Sequence, residues 1–372
     1  TSTSFSSSKL LSDVSSGFSD TTNEIWQRFW LSSENAFNSN DDICGGASYD
    51  EPSLWNQAVI GRASVLLQDN SKIGSIINNI NDYQNSQLKV FSASTAKNTD
   101  IYTDDNAQIA WVFIDAYQQT QNQQYLEAAK YIMNFLQNQT INGGVIWQYQ
   151  ADYIASISTV EAALAAVRLH EITNDDSLIE YAQKNMDFMF QYLQDPSDKL
   201  FYDGLSQSDY SDVNKGKLSY TVGCALSTLA YLYKDTGNSY YKNQATELAD
   251  AATNKNGAFY DGNGLWNNQL QYEHLLFMGF SDIINLDSDF ESYTSEVLRQ
   301  ANYIYNYLQD PNDLNMYFGL IDSSTQSMFS RYSKAYTGGG DSFSGDNNYC
   351  PGSSTKIKKS FMDNASIAQI LY

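Results

Sequence analysis

Histidine is nearly absent: His170 and His274 are the two in 372 residues. That excludes a histidine-rich metal centre, and no pair among the three cysteines has zinc-ligand spacing. No metal and no cofactor is expected, and His170, in VRLHEI, reads as structural. Basic residues are also scarce, with 21 Lys and Arg against 43 Asp and Glu and a net charge of -22. A phosphate backbone or an anionic lipid surface would be repelled, so neither nucleic acid nor membrane is expected as a partner. No apolar run reaches membrane-spanning length. No Gly-x-Ser-x-Gly is present, which excludes a serine-elbow hydrolase. Gly338-Gly339-Gly340 leads to Asp341 rather than to the lysine of a phosphate loop. The opening TSTSFSSS has no apolar leader core, so a signal peptide is expected to be removed or never present. The chain ends in Ile370-Leu371-Tyr372 without a spacer and apolar tail, and no lipid-anchor signal is expected.

What is abundant is aromatic and polar. Aromatics make up 14%, including 28 Tyr and 6 Trp, enough for a large core or a sugar-stacking cleft. Charged residues are only 17%, a look common among secreted proteins. Cys44 and Cys350 lie in polar, Gly-rich loops, whereas Cys224 lies in the apolar run YTVGCALSTLAYLY. The expected arrangement is a Cys44–Cys350 disulfide with Cys224 a buried free thiol; three reduced thiols in a cytosolic protein is the alternative. Sequons at Asn138 and Asn364 are compatible with an extracellular glycoprotein.

The densest signal is Ile101–Tyr117, IYTDDNAQIAWVFIDAY. Asp104 and Asp105 open a segment that is apolar nearly all round, so it should lie inside the fold. Two adjacent carboxylates repel, and at least one should titrate high. An acid/base site is one reading; a helix cap is the other, but one cap accounts for only one aspartate.

Beyond residue 50 the chain alternates two kinds of segment. Apolar segments span about 53–68, 104–120, 154–172, 217–234, 269–286 and 364–372. Between them run one-sided segments near 72–84, 125–137, 177–194, 240–255 and 290–308, with an early helix within 8–31. Helices apolar all round must be covered, and one-sided helices must face water. The pattern predicts an all-α fold, an (α/α)6 toroid, with residues 1–372 as a single catalytic domain. The longer links lead into the covered helices and carry Trp147, Trp266 and a repeated Phe-Tyr-Asp-Gly at 201–204 and 259–262. Loops gathered round one mouth are where a site is expected, although Asp-Gly also makes turns. Tyr102, Trp147, Tyr220 and Trp266 are expected to line a groove. Asp203 and Asp261 would accept sugar hydroxyls, and Asn106, next to the acids, is counted with the substrate contacts. Carboxylates with aromatic subsites are the apparatus of glycoside cleavage.

The phrases TDDNAQIAWVFIDAYQQTQNQQYLEAAKYIMNFL, GGVIW, EAALAAVRLHEITNDDSLIEYAQKNMDFM, FYDGL and LSYTVGCALSTLAYLYKDTGNSYY resemble glycoside hydrolase family 76. These are the endo-α-1,6-mannanases and their fungal cell-wall relatives. The resemblance covers about residues 50–310 and the final helix. It implies an (α/α)6 barrel and retaining cleavage, with Asp104 as nucleophile and Asp105 as general acid/base. A bell-shaped pH profile with an acidic optimum is expected. The chain departs from the family at Gln108-Ile109, within IASISTVEAA, at Tyr220-Thr221-Val222-Gly223 and at Glu273-His274, which puts sugar and linkage in doubt. The resemblance thus implies an extracellular or cell-wall α-1,6-mannanase, a monomer, acting on a polysaccharide or oligosaccharide. The alternatives are a cell-wall transglycosylase on the same site, a non-catalytic glycan-binding toroid, and a structural toroid whose acids are caps.

Overall fold

The computed structural model of the chain describes residues 7–96, 100–261, 264–267, 269–319 and 349–372. Gly338-Gly339-Gly340 and Gly262 of the second Phe-Tyr-Asp-Gly lie outside the described residues. Among the described residues the α-helices are α1 (Ser7–Phe29), α2 (Leu54–Leu66), α3 (Asn70–Asn81), α4 (Thr103–Thr120), α5 (Gln123–Asn138), α6 (Ser156–Thr173), α7 (Asp176–Phe188), α8 (Ser219–Thr236), α9 (Ser239–Ala252), α10 (Leu270–Leu286), α11 (Thr294–Tyr303) and α12 (Phe361–Ile370). Even-numbered helices match the segments read as apolar all round, and odd-numbered ones match the one-sided segments. Two one-sided segments are less regular than expected. Wide π turns, Met189–Leu193 and Ile304–Leu308, follow α7 and α11, and a 3-10 stretch, Ser288–Tyr293, precedes α11. Each π turn buries its first and last residues, so the apolar stripe is kept where the α-helical period stops.

Residues Ser53–Phe259 with Leu275–Tyr293 form one compact unit. In it α2, α4, α6 and α8 pack side by side, and α3, α5, α7 and α9 each pack on the helix before them. In α5 the stripe Ala129, Ile132, Met133 and Leu136 is buried while Lys130 and Asn134 are exposed, as one-sided patterning requires. The part of α10 in this unit meets α8 backbone to backbone. A Cβ on Gly223 would stand 2.1 Å from the Leu275 oxygen, and one on Gly279 2.2 Å from the Gly223 oxygen. Only glycine fits at either place.

The corners repeat. α4, α6 and α8 end on Thr120, Thr173 and Thr236; Gln121, Asn174 and Gly237 then turn left-handed at φ 59, 55 and 67. Asn122, Asp175 and Asn238 cap the next helix, accepting the N–H of Gln124, Ser177 and Tyr240. Each threonine hydroxyl accepts the capping residue's own N–H at 3.2 Å. Three repeats thus use one corner, and they run the inner helices parallel.

At the other end the inner helices start without side-chain caps, at Tyr102, Ala155 and Leu218. Short antiparallel strands lead into them: in chain order after the β1 (Trp30–Leu31) and β2 (Ala36–Phe37) pair that follows α1, these are β3 (Thr140–Ile141) with β4 (Gly144–Val145), and the three-stranded β5 (Tyr153–Ala155), β6 (Gly204–Ser206) and β7 (Val213–Asn214). The helical patterning gave no sign of these. Within the helix layer, Asp115 of α4 pairs with Arg168 of α6 at 2.8 Å and with Arg62 of α2 at 3.5 Å, all three largely buried.

The second unit comprises Thr1–Pro52, Tyr260–His274 and Thr294–Tyr372. Here α1 packs on α12. Cys44 and Cys350 are disulfide-bonded across 306 residues, and Cys224, in the other unit, is a buried free thiol, both as expected. Lys359 is fully buried against Asp310 at 2.9 Å and Asp313 at 3.2 Å, and Arg28 closes on Asp313 at 2.6 Å. Asn364 is buried and its amide is spent on the backbone of Tyr317 and Ser360. A glycan cannot be attached there in the folded chain, whereas Asn138 is exposed at the end of α5.

Candidate active site

Thr103, Asp104 and Asp105 are the first three residues of α4, and neither aspartate is its cap. The N-cap is Tyr102, which makes no side-chain cap bond. Asp104 Oδ1 accepts the Asp105 N–H at 3.0 Å, and a Trp147 side-chain hydrogen bond reaches the same carboxyl. Both acids keep some exposure, yet protein crowds them enough to oppose ionisation. Burial pushes Asp104 up to about 6, against the pull of those hydrogen bonds. Burial, and then the Asp104 charge, push Asp105 well above the carboxylate range. The pair is therefore split into an acid that ionises first and one that holds its proton.

Trp147 is fixed beside them by the link from β4 to β5. Its carbonyl accepts the Thr103 N–H at 2.8 Å, the Thr103 hydroxyl donates to Ile146 O at 2.6 Å, and Trp147 N–H donates to Tyr153 O at 2.8 Å. The indole is 37% exposed, enough to offer a face to a ligand. Tyr102 lies 4.9 Å from it, ring to ring, and Tyr153 meets it edge-on at 6.5 Å. The Tyr153 hydroxyl donates to Asp203, which also accepts from Asn214 at 3.4 Å. Burial and the Asp203 carboxylate push the Tyr153 phenol far up, so it stays a donor. The structure thus links Tyr102, Asp104, Trp147 and Asp203 through one set of contacts. Tyr220, half-buried, is the second residue of α8 as Asp104 is of α4. In the first Phe-Tyr-Asp-Gly, Gly204 starts a strand rather than a turn, and a Cβ there would stand 2.4 Å from Ile154 O.

Three expected substrate contacts have other surroundings. Asn106 is fully buried; it accepts the Phe91 N–H and donates to Phe91 O, both at 2.9 Å, and to Tyr102 O at 2.8 Å. Its amide is used up on the backbone, so it pins the loop rather than reading a sugar. Trp266, in the second unit, is 1% exposed and packs near Tyr260, a core position without a free face. Asp261 there accepts the Leu265 N–H at 3.0 Å, the turn chemistry that Asp-Gly suggests.

Sequence reasoning passed over Glu161, Tyr153 and Asn214. Glu161 on α6 is 1% exposed; its Oε1 accepts from Gln108 Nε2 at 2.9 Å. The signal was there: one glutamate inside the apolar run TVEAALAAV. Among the described residues, His170, Glu171 and Asp235 bring possible metal donors within 4.8 Å of one another, at the end of α6 and α8 remote from the acids. Lys234 lies 3.0 Å from Glu171 and Asp176 3.2 Å from His170, so the group reads as a charged corner.

An all-α scaffold of inner and outer helices thus carries two adjacent acids of unequal proton affinity beside an aromatic wall. A sequence model of glycosyl hydrolase family 76 matches residues 18–339, and the chain belongs to that family. It is 29% identical over 140 residues to mannan endo-1,6-alpha-mannosidase DCW1 of Candida albicans, a match covering 34% of this chain and 31% of that protein. The chain thus spans under a third of that relative's length. A GH76 alpha-mannanase of Bacteroides thetaiotaomicron superposes with a TM-score of 0.76 at 20% identity, covering 96% of this chain and 94% of the other. An inactive alpha-1,6-mannanase variant of Salegentibacter sp., two consecutive aspartates changed to asparagine and alpha-1,6-mannotriose bound, gives 0.72 at 16%, covering 96% and 98%. The fold is the (α/α)6 toroid expected from the helix alternation.

Proposed function

We propose that the chain is a secreted or cell-wall retaining glycosidase, one catalytic domain that cleaves α-1,6-mannan or a closely related α-linked glycan. The observation that carries this is the unequal pair at the head of α4. Asp104, ionising at about 6 and receiving two N–H donors, suits the nucleophile. Asp105, held above the usual carboxylate range by burial and by the Asp104 charge, suits the acid that protonates the leaving oxygen and then deprotonates water. Retention needs the carboxyls about 5 Å apart across the scissile bond, which neighbouring side chains reach by diverging in the first helical turn. Trp147 and Tyr102 would stack the sugar, and Asp203, held by Tyr153, would accept a hydroxyl. The aspartate pair whose replacement inactivates the Salegentibacter enzyme supports the assignment. No helix among the described residues is long and apolar enough to cross a membrane. The cap alternative loses support because Tyr102, not an aspartate, is the N-cap.

The test is hydrolysis of α-1,6-mannan by the wild type against Asp104→Asn and Asp105→Asn. Loss in both supports the reading; near wild-type turnover in both places the catalytic acids elsewhere. Chain-length analysis with mannotriose as acceptor separates hydrolysis from transglycosylation.

A further inference from the structure

One face of α5 is neither buried core nor plain polar surface. Tyr131, Asn134, Phe135 and Asn138 stand at i, i+3, i+4 and i+7, so they share one side of the helix. With Leu88 and Tyr149 they line a groove of about 240 Å³. The Tyr131 ring is 49% exposed, and its hydroxyl donates to Leu88 O at 2.8 Å, which fixes the ring at the groove. Tyr149 packs on Phe135, ring centroids 6.1 Å apart. No charged side chain lines the groove. Aromatic rings beside uncharged amides suit a neutral ligand with apolar faces and hydroxyl edges, as a sugar has. Asn138, exposed at the end of α5, is itself part of the lining and opens the sequon Asn138-Gln139-Thr140.

We propose that Asn138 carries an N-linked oligosaccharide and that its first sugar, an N-acetylhexosamine, seats in this groove against Tyr131 and Tyr149. The inference rests on the chain being secreted, as proposed above. The donor is an oligosaccharide linked through diphosphate to a membrane lipid. The Asn138 amide nitrogen bonds to C1 of the first sugar and loses a proton, the C1–O bond to the diphosphate breaks, and the lipid diphosphate leaves. Transfer belongs to the unfolded chain, because in the fold the Thr140 hydroxyl is occupied, bonded to Leu136 O at 2.7 Å and to the Tyr181 hydroxyl at 2.8 Å. Folding then brings the sugar to Tyr131. A short covalent tether gives it a local concentration on the order of millimolar, so even a weak stacking contact is populated. The seated sugar would touch α5, the loop at Leu88 and the link two residues beyond Trp147, tying the three together. Asn364 supplies the contrast: its sequon is equally good, but its amide is buried and spent on the backbone.

The full chain is made through a eukaryotic secretory pathway. Enzymatic release of N-glycans in heavy-oxygen water should leave labelled aspartate at position 138, and Asn138→Gln should lack that glycan mass. An unmodified Asn138 overturns the proposal. The seat is read after the glycan is trimmed to its first sugar. By 13C methyl NMR its acetyl group should lie upfield of the same group in a free glycopeptide and show Overhauser contacts to the Tyr131 ring. Tyr131→Ser should return it to the free position. The trimmed protein should also unfold about 1–2 °C above sugar-free Asn138→Gln, a difference that vanishes in the Tyr131→Ser background. Should Tyr131→Ser fail to fold, the Overhauser contacts in the wild type decide. An acetyl methyl at the free position in the wild type ends the idea. So does a shift of the Tyr131 ring caused by added mannotriose and not by the tethered sugar, which would make the groove a substrate subsite. No readout here uses turnover, so mannan hydrolysis by the same preparation tests the catalytic reading separately.

Discussion

Asn106 clasps Phe91 with both ends of one amide, accepting its N–H and donating to its carbonyl at 2.9 Å. Asn364 does the same to Tyr317, at 2.8 Å and 3.2 Å. Each is the fourth residue of an inner helix, α4 or α12, and each also donates to the backbone at its own helix start. Thr159, fourth in α6, holds Val145 N–H at 3.0 Å. The fourth position is thus a recurrent pin between an inner helix and the hairpin before it. Asn106→Ala would leave a buried N–H and carbonyl of Phe91 unmet and should cost about 2–4 kcal/mol in urea unfolding. A loss below about 1 kcal/mol would mean that water or a shifted backbone replaces the clasp.

Trp147 couples the aromatic wall to the acid pair. Its hydrogen bond lowers Asp104, so Trp147→Phe should move the acid limb of the pH–rate profile upward while keeping a stacking face. Trp147→Ala should add a rise in KM corresponding to about 1–3 kcal/mol of lost ring contact. An acid limb that stays put in both variants would show that the indole N–H does not govern Asp104.

The helix alternation was legible because burial writes itself into sequence with a period of 3.6: α4 and α6 are buried nearly all round, whereas α5 shows one stripe. The Cys44–Cys350 bridge was legible from loop chemistry. Asp104 and Asp105 stood out because acids are rare beside such apolar sequence. What sequence could not distinguish was a polar side chain facing a ligand from one facing the backbone. Asn106 and Asp203 look alike on the page, but one is spent on Phe91 while the other is held open by Tyr153. Trp147 and Trp266 both lie in loops, and only the fold tells the exposed indole from the buried one. Glu161 depends on contact across helices, which periodicity along one helix does not encode.

Asp115 should be costly to remove. It lies between Arg168 at 2.8 Å and Arg62 at 3.5 Å, and Asp115→Ala would take one of two carboxylates from a pair of buried guanidinium groups, leaving Asp282 to face both. The expected loss is about 3–5 kcal/mol, read from denaturant midpoints at constant slope. A change within about 1 kcal/mol would mean that the arginines reach solvent or another acid.

The site acids should weaken the fold as pH rises. Asp104 and Asp105 bind protons more tightly folded than unfolded, where the reference is 3.8. The folded state then holds more protons, so their contribution is fully present below 3.8; the Asp104 share is lost as pH climbs through about 6, and the Asp105 share only where that acid in turn yields its proton. Asp105→Asn should therefore gain thermal stability relative to wild type as pH climbs toward that point, and little below 3.8. A difference independent of pH would show that Asp105 ionises as freely folded as unfolded.

The same two shifts set the working pH. The proposed mechanism needs Asp104 ionised and Asp105 protonated, so kcat/KM should rise through about 6 and fall only where Asp105 yields its proton. Ordinary carboxyls would give an acidic optimum; burial of this pair moves it toward neutrality. Asp104→Ala removes the nucleophile and should abolish turnover of mannan and of activated substrates alike. Asp105→Ala removes only proton donation in the first step, so a good leaving group should depart at near wild-type rate, and the glycosyl intermediate should then accumulate as a burst. Added azide, which needs no general base, should restore turnover in that variant and give a glycosyl azide of retained configuration. Inverted product, or rescue of Asp104→Ala instead, would exchange the two roles.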